Sequence, residues 1–147
     1  MDDYQTAREY ALQRLNRREC SSRDIEQRLV RKGISKDTVK KVVTELEEAS
    51  LLSDARFSKM MIREQAARGK GPLVIRQKLK QNGIDLSVEQ IKAISAEYGE
   101  SKELEVARQM VARKYPNFAT DKATMNRALQ ALLRRGFSFS DAKKLLS

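Results

Sequence analysis

The sequence predicts an all-α protein, an elongated array of three tandem three-helix repeats of helix-turn-helix type with about nine helices in all. Three observations carry this. Only two prolines and six glycines interrupt 147 residues, which leaves room for long helices. Apolar residues recur at spacings of three and four, the period of a helix with one buried face. A short frame also repeats. Four residues before Gly33, Gly83 and Gly136 stand Leu29, Leu79 and Leu132, and directly after them Ile34, Ile84 and Phe137. The glycines lie 50 and 53 residues apart, longer than a helical pair needs and enough for three helices.

The elements follow in order. Ala7, Tyr10, Ala11 and Leu15 give a first helix over Thr6 to Arg18. Ser21 and Asp24 have the spacing of a capping box before a second, with Ile25, Leu29 and Val30 as its apolar stripe. Gly33 stops that helix, and Ser35 caps a third lined by Val39, Val42, Val43 and Leu46. Ser53 or Asp54 caps a fourth, with Phe57, Met60, Met61 and Gln65 inward and an end at Arg68-Gly69. Pro72 suits the first position of a fifth, whose apolar residues are Leu73, Ile75 and Leu79. Ser87 and Gln90 form a second capping box for a sixth helix carrying Val88, Ile91, Ile94 and Tyr98. Ser101 opens a seventh, with Leu104, Ala107, Met110 and Val111 inward, and Pro116 prevents its extension past Tyr115. Asp121 caps an eighth with Met125, Ala128, Leu129 and Leu132, and Ser138 or Ser140 a short ninth with Ala142, Leu145 and Leu146. The repeats are therefore placed at residues 1–52, 53–99 and 100–147.

Register holds through the third helix of each repeat. Positions six, nine and ten after the glycine are Val39, Val42 and Val43 in the first repeat and Ala142, Leu145 and Leu146 in the third. The second matches after a two-residue insertion, with Ile91, Ile94 and Ser95.

Composition narrows the function. With no histidine and one cysteine the chain has no Cys/His or Ser/His pair, no zinc ligand set and no Walker-type loop, so neither enzyme nor metal or cofactor binding is expected. Glu45, Glu47 and Glu48 read as solvated charges on a helix surface. No segment approaches the roughly eighteen apolar residues of a membrane span, and the start Met-Asp-Asp-Tyr has no signal-peptide pattern. A cytoplasmic protein follows, for which the single Cys20 suits a reducing compartment.

The formal charge of +10 points to a polyanionic partner. It is unevenly placed: residues 1–54 carry 11 basic and 11 acidic groups, residues 55–99 nine and four, and residues 100–147 ten and five. The candidate binding residues are Arg63, Arg68, Lys70, Arg76, Lys78 and Lys80 around a glycine turn and the N-terminus of the fifth helix, where backbone amides can also draw an anion. Arg76 and Lys80 share a helix face. Arg127, Arg134 and Arg135 extend the strip. A second reading makes the chain a stand-alone DNA-binding protein or repressor, in which Leu29, Gly33, Ile34, Val39 and Val42 frame a helix-turn-helix and Lys36, Thr38, Lys40 and Lys41 face DNA. Against it, Leu29 is bulky where such helices cross. Asp54 reads as a cap paired to Arg56, with Phe57 as a core anchor.

Three segments together resemble the RecX family, which restrains the RecA recombinase: Arg17-Arg18-Glu19-Cys20-Ser21, Leu52-Ser53-Asp54-Ala55-Arg56-Phe57-Ser58, and Arg68-Gly69-Lys70-Gly71-Pro72 with Ile75, Leu79, Gly83 and Ile84. One departure is Asp24-Ile25, where the family often has Glu-Leu. Among the motif residues Asp54, Arg56, Phe57, Gly69, Gly71, Pro72 and Gly83 are expected to serve the fold. The resemblance implies tandem three-helix repeats and a non-enzymatic negative modulator acting in homologous recombination, DNA repair and the SOS response. Such a modulator binds the RecA filament on single-stranded DNA within its groove. It blocks extension, favours disassembly, and lowers ATP hydrolysis, strand exchange and co-protease activity. A monomer with weak direct affinity for DNA is expected.

Overall fold

The computed structural model describes residues 2–98 and 102–147; Ser101, the expected cap of the seventh helix, and the expected boundary at 99/100 lie outside them. The described residues form nine helices and no strand. These are α1 (Asp3–Arg17), α2 (Ser22–Arg31), α3 (Lys36–Glu48), α4 (Asp54–Ala67), α5 (Pro72–Gln81), α6 (Val88–Glu97), α7 (Lys102–Lys114), α8 (Lys122–Arg134) and α9 (Phe139–Leu145). The first helix starts earlier than its apolar stripe because Asp2 caps it, accepting from the Gln5 N–H at 2.8 Å. The caps at Ser21, Ser35, Ser87, Asp121 and Ser138 form as the sequence predicts. Ser87 and Gln90 make both arms of a capping box. Ser21 makes only one, because the Asp24 carboxylate turns to Arg28 at 3.0 Å. Gly33, Gly83 and Gly136 all have positive φ, a conformation costly for any residue with a Cβ.

The chain divides into two compact units, one of Met1–Met60 with Asn82–Ile84, the other of Met61–Gln81 with Asp85–Ser147. In the first, Ala7 and Ala11 of α1 pack into a core of Ile25, Leu29, Ile34, Val39, Val42, Val43, Leu46 and Leu52. Two alanines at this contact let α1 approach closely, while Tyr4 and Tyr10 close the rim. Lys32 stands over the Tyr10 ring at 4.5 Å and Lys41 over Tyr4 at 4.8 Å. Val30 lies 48% exposed, contrary to its place in the expected stripe, because it sits one position off the Ile25–Leu29 face.

The motif Ser53-Asp54-Ala55-Arg56-Phe57 completes this unit, with different pairings from those expected. Of the two expected caps it is Ser53 whose Oγ accepts from the Arg56 N–H near the start of α4. The Asp54 carboxylate instead accepts from the Ser22 N–H at 2.8 Å, satisfying an amide at the start of α2. Arg56 pairs with Glu19 at 2.8 Å and donates to the Ser50 carbonyl at 2.7 Å. Phe57 is buried, as a core anchor should be. The turn after α5 also belongs to this unit: Ser21 Oγ donates to Asn82 Oδ1 at 2.8 Å, and a Cβ on Gly83 would lie 3.5 Å from Arg23 Cδ.

In the second unit, Ile62, Ala66, Ile75, Leu79 and Ile91 are buried, and Ala107, Met110, Val111, Ala128, Leu132, Phe137, Ala142, Leu145 and Leu146 form a cluster. Leu73 and Tyr98, expected on apolar faces, are 46% and 42% exposed. On α5 the spacing of Pro72, Ile75 and Leu79 fixes the inward face, and Leu73 falls beside it.

Candidate polyanion interface

Two long segments of this second unit contain no acidic residue. Residues 65–81 hold Arg68, Lys70, Arg76, Lys78 and Lys80, and residues 122–140 hold Lys122, Arg127, Arg134 and Arg135. A backbone strap joins them. The Gly71 N–H donates to the Arg135 carbonyl at 2.7 Å and the Leu73 N–H to the Gly136 carbonyl at 3.0 Å. Arg135 Nη1 donates to the Arg68 carbonyl at 3.0 Å. Only glycine fits at the crossing. A Cβ on Gly71 would lie 2.5 Å from the Gly136 carbonyl, and one on Gly136 would lie 2.6 Å from the Val74 nitrogen. Gly69 has positive φ, and a Cβ there would meet Val106 Cγ1 at 2.8 Å. The glycines and buried Pro72 of the Arg-Gly-Lys-Gly-Pro motif thus hold the α4–α5 loop against the α8–α9 turn.

The strap corrects one expectation. Pro72 has no N–H and Leu73 gives its own to Gly136, so the start of α5 does not stand open to an anion through those residues. Attraction has to come from side chains. Arg68, Lys80 and Arg134 are exposed, and Lys70 is half-buried between the two loop glycines. Arg68, Lys70, Arg134 and Arg135 are gathered at the strap. Arg76 is half-buried, and its Nε has no hydrogen-bond partner among the described residues. Lys78 donates to Gln65 Oε1 at 3.0 Å. The remaining two candidates are drawn elsewhere. Arg63 stands over the Tyr98 ring at 5.5 Å. Arg127 donates to Thr124 Oγ1 at 3.1 Å, two turns along α8 from Arg134.

In the first unit the alternative recognition helix is partly committed. Thr38 Oγ1 accepts from Ser35 Oγ at 3.0 Å and the exposed Lys41 lies over Tyr4, while Lys36 and Lys40 are also exposed among the four DNA-facing candidates. Burial pushes the Cys20 thiol above its ordinary value, and its Sγ donates to the Arg18 carbonyl at 3.5 Å, a setting that keeps the thiol protonated and unreactive. Among the described residues no His, Cys, Asp or Glu cluster is arranged to hold a metal, and no helix is long and apolar enough to cross a membrane.

Three successive helix triplets, a basic second unit and a loop pinned by close glycine contacts define a class: all-α proteins of tandem three-helix domains. Models of the first, second and third three-helix domains of RecX match residues 7–46, 53–88 and 101–146. The regulatory protein RecX of Halorhodospira halophila is 33% identical over 136 residues, 91% of this chain and 82% of that protein. Its counterpart in Stenotrophomonas maltophilia is 35% identical over 134 residues, 90% and 80% of the two chains. The chain belongs to the RecX family of regulatory proteins. The crystal structure of RecX from Lactobacillus salivarius has the same fold, with a TM-score of 0.81 at 22% identity over 99% of this chain and 95% of that one.

Proposed function

We propose that this protein is a cytoplasmic, monomeric, non-catalytic negative modulator of RecA that binds the RecA filament on single-stranded DNA in its groove. There it blocks extension and favours disassembly, lowering ATP hydrolysis, strand exchange and co-protease activity. One observation carries the reading: the two acid-free segments meet at the strap and place Arg68, Lys70, Arg134 and Arg135 together. Family membership supplies the regulatory role. A filament offers repeated copies of any acidic surface, so individually weak ionic contacts along tandem repeats sum through multivalency. The near-neutral first repeat serves orientation in this scheme, and affinity for DNA alone is weak and salt-sensitive.

ATP hydrolysis by RecA on single-stranded DNA is the direct test. Arg68→Glu, Lys70→Glu and Arg134→Glu combined should raise the concentration for half-inhibition by about tenfold or more at moderate salt, with helical content unchanged. Arg135 is left intact because it holds the strap. Undiminished inhibition by the triple variant would remove this surface from the mechanism. Inhibition by wild-type protein far below one copy per RecA would favour capping of growth over coating of the groove. A marked preference for one duplex sequence would point to the helix-turn-helix alternative.

A further inference from the structure

Beside the strap lies an open groove of about 360 Å³, lined by Leu73, Val74, Gln77, Lys78 and Gln81 of α5 with Leu133 and Gly136. Its apolar residues are Leu73, nearly half exposed, with half-buried Val74 and Leu133. No sequence pattern marks it, since Leu73 and Leu133 come from segments sixty residues apart. The strap accounts for its position: joining Leu73 to Gly136 sets the start of α5 beside the end of α8 and leaves their outer side chains facing a common space.

Nucleic acid needs no aliphatic floor, and the groove offers no aromatic ring for a base to stack on. The surroundings select by charge instead. Both walls come from the acid-free segments, with Lys78 in the lining and Lys80 and Arg134 next in sequence to the lining residues Gln81 and Leu133. An apolar trough whose walls belong to acid-free, basic segments complements a peptide whose acidic residues flank one aliphatic or aromatic side chain. We infer that this groove docks an acidic protein segment through a single apolar anchor seated on Leu73, Val74 and Leu133. The inference stands apart from the filament reading, because it concerns a peptide-sized site and not a polyanion surface.

The experiment uses the full chain without RecA. A fluorescein-labelled peptide of Asp and Glu around one central Leu is titrated by anisotropy at moderate salt, beside a matched peptide with Ser at the centre. The Leu peptide should bind about tenfold tighter, as expected for burying one Leu side chain. Leu73→Ser should erase that difference while leaving the residual affinity of the Ser peptide unchanged, and its half-exposed position predicts an unchanged melting curve. Gln77→Glu, exposed at the groove, is a second variant that should weaken the Leu peptide through charge alone. Equal binding of the two peptides, or a preference for Leu that survives both variants, would overturn the assignment. So would concentration-dependent dimerisation abolished by Leu73→Ser, which would give the groove to a second copy of this chain.

Discussion

Arg135 donates its guanidinium Nη1 to the main-chain carbonyl of Arg68 at 3.0 Å, so one of the nine cations expected to meet a partner also closes the fold. The bond ties the end of α8 to the turn after α4, the same two elements that the Gly71–Arg135 and Leu73–Gly136 main-chain bonds connect. The carbonyl is exposed and water can replace the lost donor, which keeps the cost small. Arg135→Lys should therefore destabilise by about 1 kcal/mol in urea unfolding, since a lysine keeps the charge and loses the fixed fork. Arg134→Lys, one residue away, should leave stability unchanged. Equal effects of the two would remove the distinction between staple and free cation.

The crossing of Gly71 and Gly136 predicts a larger effect. A methyl group at residue 71 would meet main-chain atoms of Gly136 at 2.5 Å, and backbone on both sides cannot yield as a flexible side chain would. Gly71→Ala should cost about 3 kcal/mol by overpacking and loosen the strap. Gly33→Ala gives the control. A methyl group at residue 33 would meet nothing within 4 Å, so only the left-handed backbone at φ 86° opposes it, worth about 1 kcal/mol. Chemical denaturation ranks the pair, and a Gly33 variant as damaged as the Gly71 one would contradict the close-contact argument.

Much of the helical order can be read along the chain because its signals are local. Ser35, Ser87 and Asp121 cap the helices that follow within three residues, and Gly33, Gly83 and Gly136 mark stops through the backbone. Pairings across the fold leave no such trace. Arg56 finds Glu19 rather than its neighbour Asp54, and Asp54 serves an amide at Ser22, 32 residues away. The candidate surface suffers most from this. Charge counting finds Lys78 and Arg135, but not that the first also donates to Gln65 and the second to Arg68. Leu73 and Val30 are misplaced for a simpler reason, since each adjoins a residue of the true inward face and a short helix tolerates either register by eye.

Ser50 offers a stabilising change. It follows α3 at φ 58°, the only non-glycine residue in the left-handed region among those described. Its main-chain carbonyl accepts from Arg56, a bond that any side chain at residue 50 preserves. Ser50→Gly should relieve the backbone strain and raise stability by up to about 1 kcal/mol, partly offset by the greater freedom of glycine in the unfolded chain. Loss of stability on thermal melting would mean that the serine side chain contributes something the geometry does not display.

Asp121 predicts how stability responds to acid. Its carboxylate caps α8 by accepting the Thr124 hydroxyl and, at 3.3 Å, the Thr124 N–H. The Thr124 hydroxyl is the main cause of a pKa lowered from the ordinary 3.8, with lesser help from the Thr124 and Ala123 amides and the charge of Arg127. A depressed carboxylate means that the unfolded chain takes up the proton first. The contribution is therefore complete above pH 3.8 and is lost as pH falls through the lower folded-state value. Asp121→Asn keeps a capping oxygen and removes the titration. Unfolding by urea at about pH 5 and about pH 3 should thus show a smaller loss for the Asn variant than for the wild type, while Thr124→Val narrows the gap by taking away the strongest donor. Parallel losses in wild type and Asp121→Asn would show that the acid sensitivity of this helix end arises elsewhere.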